Sequence, residues 1–237
     1  MKTHDFTAPR AESYGLAKQP SRRLGTHATR TVLSTFLLLI SAMFHAPFAA
    51  AASPALDAHS GLVATCAACH GATGEGSASV AAPRLAGQNA DYMAHALSMF
   101  KAGTRKNPVM QPIAQNLSDS DMRELADYFA AQHPPLAPAM EAPKPTTVQD
   151  GAQLAQSGDG AMLAACFSCH AAGGKGNGTR FPSIAGQPAS FVVARLHEFQ
   201  ARAKNGAAKP GSMTAIAAQM TDAQIDAAAA YLSTLPR

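Results

Sequence analysis

Cys66-Ala67-Ala68-Cys69-His70-Gly71 and, one hundred positions on, Cys166-Phe167-Ser168-Cys169-His170-Ala171 hold all four cysteines of the chain. Outward from each, the same landmarks follow in the same order. Pro83-Arg84-Leu85-Ala86-Gly87-Gln88 is answered by Pro182-Ser183-Ile184-Ala185-Gly186-Gln187, and Tyr92, Leu97 and Phe100 by Phe191, Leu196 and Phe199. The run from Met110 through Leu117-Ser118-Asp119 recurs from Met213 through Met220-Thr221-Asp222, and Tyr128 is answered by Tyr231. Agreement in order and spacing over the whole unit identifies a duplication.

Between the copies, the stretch from His133 to Pro145 contains Pro134, Pro135, Pro138, Pro143 and Pro145. Prolines at this density support neither a helix nor a central strand and stiffen the chain toward polyproline II. The expected organisation is a first domain over 53–133, a linker over 134–147 and a second domain over 148–237. Ser118-Asp-Ser-Asp121 and Thr221-Asp-Ala-Gln224 resemble capping boxes, and each opens an Ala-rich amphipathic run ending at Gln132 or Leu235. Ala90 to Lys101 and Ala189 to Lys204 carry apolar residues at helical spacing, whereas 71–77 and 173–178 are Gly-rich loops. No period-2 run appears, so both domains are expected to be all-α. Each is short and Trp-free, a size at which apolar burial is marginal and a large apolar cofactor would complete the core.

Cys-x-x-Cys-His is the attachment sequence for c-type haem. Residues i and i+3 of a helical turn share a face. Cys66 and Cys69, or Cys166 and Cys169, can therefore form thioethers with two vinyl groups of one porphyrin, and His70 or His170 then meets the iron from the same side. A four-cysteine zinc site is the first alternative, yet it requires neither a histidine after each pair nor one pair in each complete repeat. Redox dithiols or disulfides are the second, but dithiol motifs of the thioredoxin kind sit beside βαβ patterns, which this chain lacks. Two covalent haems c are the expectation.

The sixth iron ligand has to come from a distant segment. Met110 and Met213 stand at equivalent positions, 40 and 43 residues after their histidines, ahead of the last helix of each copy. Met220 aligns with Leu117, which cannot bind iron, and is assigned to the core. His95, His133 and His197 have no counterpart in the other copy and are set aside as ligands; His59 is similar. His/Met ligation raises the reduction potential and leaves no open site for oxygen or peroxide, which favours electron transfer over catalysis.

The N-terminus combines Lys2, Arg10, Lys18, Arg22, Arg23 and Arg30, an apolar run from Thr31 to Phe44, and small residues at 49–53. That is a secretory signal with a cut near Ala51 or Ala52, giving a leader of residues 1–52; an uncleaved membrane anchor is the alternative. The leader carries six basic and two acidic side chains of the total of 19 and 15. Without it the chain is formally neutral, and the net charge of +4 argues for no nucleic-acid partner.

With these motifs present twice, the chain from 56 to 237 resembles the cytochrome c4 family, periplasmic dihaem proteins built of two class I cytochrome c domains. The resemblance implies that Pro83 and Pro182 offer carbonyls to the Nδ1–H of His70 and His170. It also implies an N-terminal helix crossing the last one, with Gly61 and Gly160 at the close approach beside Tyr128 and Tyr231. The domains of the family face each other about a pseudo-twofold axis. The expected function is a carrier in the periplasm, soluble or loosely held at the membrane surface, between a bc1-type complex or dehydrogenase and a terminal oxidase. The runner-up is the cytochrome subunit of an exported dehydrogenase oxidising sulfide or an alcohol. A dihaem peroxidase is disfavoured by the paired methionines.

Overall fold

In the computed structural model of the protein, residues 54–237 are described, apart from Ala161. The leader of residues 1–52 lies outside the described residues. The first copy contains α1 (Pro54–His70), α2 (Ala90–Lys101), α3 (Met110–Gln115) and α4 (Asp119–Ala130). The second contains α5 (Pro145–Ser157), α6 (Cys166–His170), α7 (Ala189–Arg202), α8 (Met213–Ala218) and α9 (Asp222–Thr234). Among the described residues no strand forms; only isolated bridges, Ser77 to Ala82 and Asn177 to Phe181, pin the loops after the two histidines.

The helix starts follow local chemistry. Asn89 caps α2 by accepting from the Tyr92 amide, and both expected capping boxes are present: Ser118 with Asp121 on α4, Thr221 with Gln224 on α9. Each box satisfies two amides that a helix start otherwise leaves without partners. Helix α5 begins at Pro145, inside the stretch assigned to the linker, because proline at the first helical position forgoes no intrahelical bond.

Two cores result. In the first copy Met122, Leu125, Ala126 and Phe129 of α4 form one stripe at helical spacing and pack with Met93 and Leu117. In the second, Ile225, Ala228, Ala229 and Leu232 of α9 do the same with Leu154, Leu163, Val192, Leu196 and Met220. Met220 is 7% exposed and Leu117 5%, so the two aligned residues fill the same core position.

The expectation for Gly61 and Gly160 is corrected. A side-chain carbon at either would meet nothing within 4 Å. The close crossing is instead at Gly151 on α5, where an added Cβ would lie 1.9 Å from the Ala227 carbonyl oxygen and 2.7 Å from Tyr231 Cβ. In the second copy a loop over 158–165 separates the crossing helix from the attachment helix α6, whereas α1 runs unbroken into its cysteines. Counting back from the cysteines therefore lands on α1 in one copy and in the loop in the other.

Candidate haem sites

Both motif histidines are buried at helix ends, His70 closing α1 and His170 closing α6. His70 Nδ1 lies 2.8 Å from the Pro83 carbonyl oxygen and His170 Nδ1 2.7 Å from that of Pro182. A carbonyl only accepts, so Nδ1 carries the proton and Nε2 keeps its lone pair. Burial lowers the basicity of both imidazoles, against a smaller opposing effect of the carbonyl bond, and keeps them neutral, the form that binds a metal.

The four cysteines form no disulfide with one another. Among the described residues no cluster of three or more His, Cys, Asp or Glu is gathered to hold a metal ion, so the fold does not assemble the cysteines into a zinc site. Burial pushes the Cys66 and Cys166 thiols up, the opposite of what a reactive dithiol needs. Beside Cys66, a cavity of about 400 Å³ opens between Leu62 and Thr65 of α1 and Pro112 and Ile113 of α3. This apolar slot, with an attachment thiol on one wall, suits a flat apolar cofactor.

Met110 and Met213 are the first residues of α3 and α8, short helices just ahead of the last helix of each copy. Asn107 Oδ1 accepts from the amides of Val109 and Met110 at 3.0 and 2.8 Å. Ser212 caps α8, its side chain accepting from the Ala215 amide. Between Phe199 and Met213 the second copy is four residues longer than the first, with one residue fewer between His170 and Pro182; the extra chain is taken up in the turn Ala203–Ala207 and the segment through Gly211, so both methionines begin equivalent helices. Met213 packs partly buried against its core. His95, His133 and His197 are exposed, and His59 lies in a stretch whose side chains are not described.

The repeated Pro-x-x-Ala-Gly-Gln motif does more than sequence reasoning assigned to it. Gln88 and Gln187 are 5% and 4% exposed, and each is hydrogen-bonded to the other domain. Gln88 Nε2 donates to the Ser183 carbonyl at 3.0 Å and its Oε1 accepts from the Ser183 amide at 2.9 Å. Gln187 repeats both bonds with Arg84, at 3.0 and 2.9 Å. The available signal was a polar residue closing a duplicated apolar motif, since a buried amide has to find partners.

Arginines reinforce the junction. Arg84 donates to the carbonyls of Pro134 and Pro135, and Arg237 donates to that of Ala86. Burial, together with the charge of Arg84, holds the Arg237 guanidinium down to about 10. Arg105 stacks over Phe100 and Arg195 over Phe199, the equivalent aromatic positions of the two copies. Burial and then the Arg195 charge hold Arg105 below the usual guanidinium range. Buried Arg84 Nε has no partner among the described residues. That buried cationic donor suits a cofactor that carries carboxylates.

Residues 60–133 match the cytochrome c family, and residues 153–232 match the family described as cytochrome c oxidase, cbb3-type, subunit III. A curated relative from Thiomonas intermedia, a thiosulfate dehydrogenase electron acceptor, is 38% identical over 73% of this chain and 79% of its own length. The solved structure of a thiosulfate dehydrogenase from Marichromatium purpuratum is 36% identical with a TM-score of 0.63; the match covers 72% of this chain and 36% of that one. The cytochrome c4 structure from Acidithiobacillus ferrooxidans is 35% identical with a TM-score of 0.62, covering 73% of this chain and 99% of that one. With two cytochrome c domains, each holding a Cys-x-x-Cys-His motif, the chain belongs to the cytochrome c4 family and is an electron carrier with two covalently attached haems c.

Proposed function

We propose that this chain is an exported, periplasmic carrier that takes electrons from a sulfur-compound dehydrogenase of the thiosulfate-oxidising class and passes them toward a terminal oxidase. The observation that carries the donor is the 38% identity to a thiosulfate dehydrogenase electron acceptor over 73% of the chain.

In this reading each haem, once bound, supplies an iron that gains and loses one electron. Cys66 and Cys69, and Cys166 and Cys169, hold the two porphyrins by thioethers. His70 and His170 would offer Nε2 to the irons while the prolyl carbonyls hold their Nδ1–H. Met110 and Met213, in the first turns of α3 and α8, would supply the second ligand of each iron. Such a ligand set would leave no open site for peroxide.

The test is to mix the oxidised protein with a thiosulfate dehydrogenase and thiosulfate and follow the reduced-haem absorbance. Reduction within many turnovers per second supports the donor. Reduction only by a bc1-type complex would replace it with the second reading, a shuttle between that complex and an oxidase, which the likeness to cytochrome c4 favours.

A further inference from the structure

The bonds of Gln88 and Gln187 end on particular peptide groups. The Pro182 carbonyl and the Ser183 N–H belong to one peptide unit. The carbonyl accepts from His170 Nδ1 at 2.7 Å, and the N–H donates to Gln88 Oε1 at 2.9 Å. The Pro83–Arg84 peptide is placed likewise between His70 Nδ1 at 2.8 Å and Gln187 Oε1 at 2.9 Å. Two chains of hydrogen bonds thus run from a histidine through one peptide to a glutamine of the other domain.

We propose that these glutamines are crossed positioning residues: Gln88 of the first domain sets the electron-donating strength of His170 in the second, and Gln187 sets that of His70 in the first. The inference rests on the reading of His70 and His170 as iron ligands. An amide whose N–H is hydrogen-bonded is a better acceptor at its carbonyl, because each bond in a chain polarises the next. A stronger Nδ1–H···O bond shifts electron density toward Nε2, and second-shell bonds of this kind tune the metal behind a histidine. Arg84, Ser183 and both glutamines are buried, so the bonds from the Arg84 and Ser183 amides to the glutamine oxygens lie away from water. The second bond of each glutamine, from Nε2 to the Ser183 or Arg84 carbonyl, holds its amide in register. Domain contact and haem potential are therefore linked: loosening the junction weakens both histidines.

The experiment is a redox titration of the intact dihaem protein with the haems resolved by NMR, for the unsubstituted chain, Gln88→Met and Gln187→Met. Methionine keeps the length and apolar bulk but offers the peptide no comparable acceptor. Gln88→Met is expected to raise the potential of the His170 haem, by a few-fold in its reduction equilibrium constant as an order of magnitude, and to leave the His70 haem nearly unmoved. Gln187→Met is expected to give the mirror result. In the reduced state the Nδ1–H resonance of the crossed histidine should move upfield. A shift confined to the haem of the substituted domain, or equal shifts in both, would overturn the proposal. If a variant fails to fold, hydrogen exchange of the unsubstituted protein still decides: slow exchange at the Ser183 and Arg84 amides supports the clasp, and fast exchange refutes it. Failure of the ligand reading itself would look different, because the unsubstituted protein would then lack the low-spin His/Met spectrum.

Discussion

Nδ1 of each motif histidine faces a carbonyl, and that single contact fixes the tautomer, the ring plane and the nitrogen left for iron. Methionine has no such built-in guide, so its assignment rests on place: Met110 and Met213 begin equivalent helices, while Met220 is buried in the second core. The oxidised protein is expected to show the weak sulfur-to-iron absorption near the red end of the spectrum that His/Met ligation gives. Met110→Ala should remove part of that band, Met110→Ala with Met213→Ala should remove all of it, and Met220→Leu should leave it intact. Full intensity in the double variant would refute the ligands.

At the scale of elements, two glycines separate what repeats from what differs. Gly151→Ala forces a carbon against the Ala227 carbonyl at 1.9 Å. α5 and α9 would have to move apart, and the expected destabilisation is about 3 kcal/mol, the upper part of the overpacking range. Gly61→Ala meets nothing within 4 Å and should stabilise α1 by about 0.5–1 kcal/mol through helix propensity. Denaturant midpoints of the two holo-proteins would show opposite signs. The capping box of α4 adds a third case. The Ser118 hydroxyl and amide hold the Asp121 carboxyl below the usual carboxylate range, so its share of stability is present at neutral pH and lost as pH falls through that lowered value. Ser118→Ala should cost about 1 kcal/mol at neutral pH and less in acid. Both boxes, the core stripes and the attachment motifs were legible in the chain because each depends on residues within one or two turns. The crossing at Gly151 was not, because the loop over 158–165 breaks the spacing on which the repeat was aligned. The partners of Gln88 and Gln187 were hidden for a related reason. They lie 95 and 103 residues away, and no local pattern names a partner at that distance.

Across the whole molecule, the two halves carry opposite charge. Residues 53–140 hold five basic and seven acidic side chains, and residues 151–237 hold seven basic and four acidic. Asp91, Asp119, Glu124 and Asp127 are exposed in the first domain, whereas Lys175, Arg180, Arg202, Lys204 and Lys209 are exposed in the second. Lys204 and Lys209 lie on the segment that leads into α8 and Met213. Charge complementarity acts mainly on encounter and orientation, and exposed charges lose their reach beyond about 10 Å at 0.1 M salt. The domains should therefore greet charged partners differently, the second preferring anionic surfaces. Stopped-flow oxidation of the fully reduced, intact protein tests this with small probes of opposite charge. For Lys204→Glu with Lys209→Glu, oxidation by ferricyanide should slow several-fold at low salt, as an order of magnitude for steered encounter, while oxidation by a ruthenium ammine cation should quicken. Both differences should vanish near 0.5 M salt, where the screening length is about 4 Å. A change of the same sign with both oxidants, or one that persists at high salt, would assign the effect to altered haem chemistry and remove charge steering from the account of how this carrier tells its partners apart.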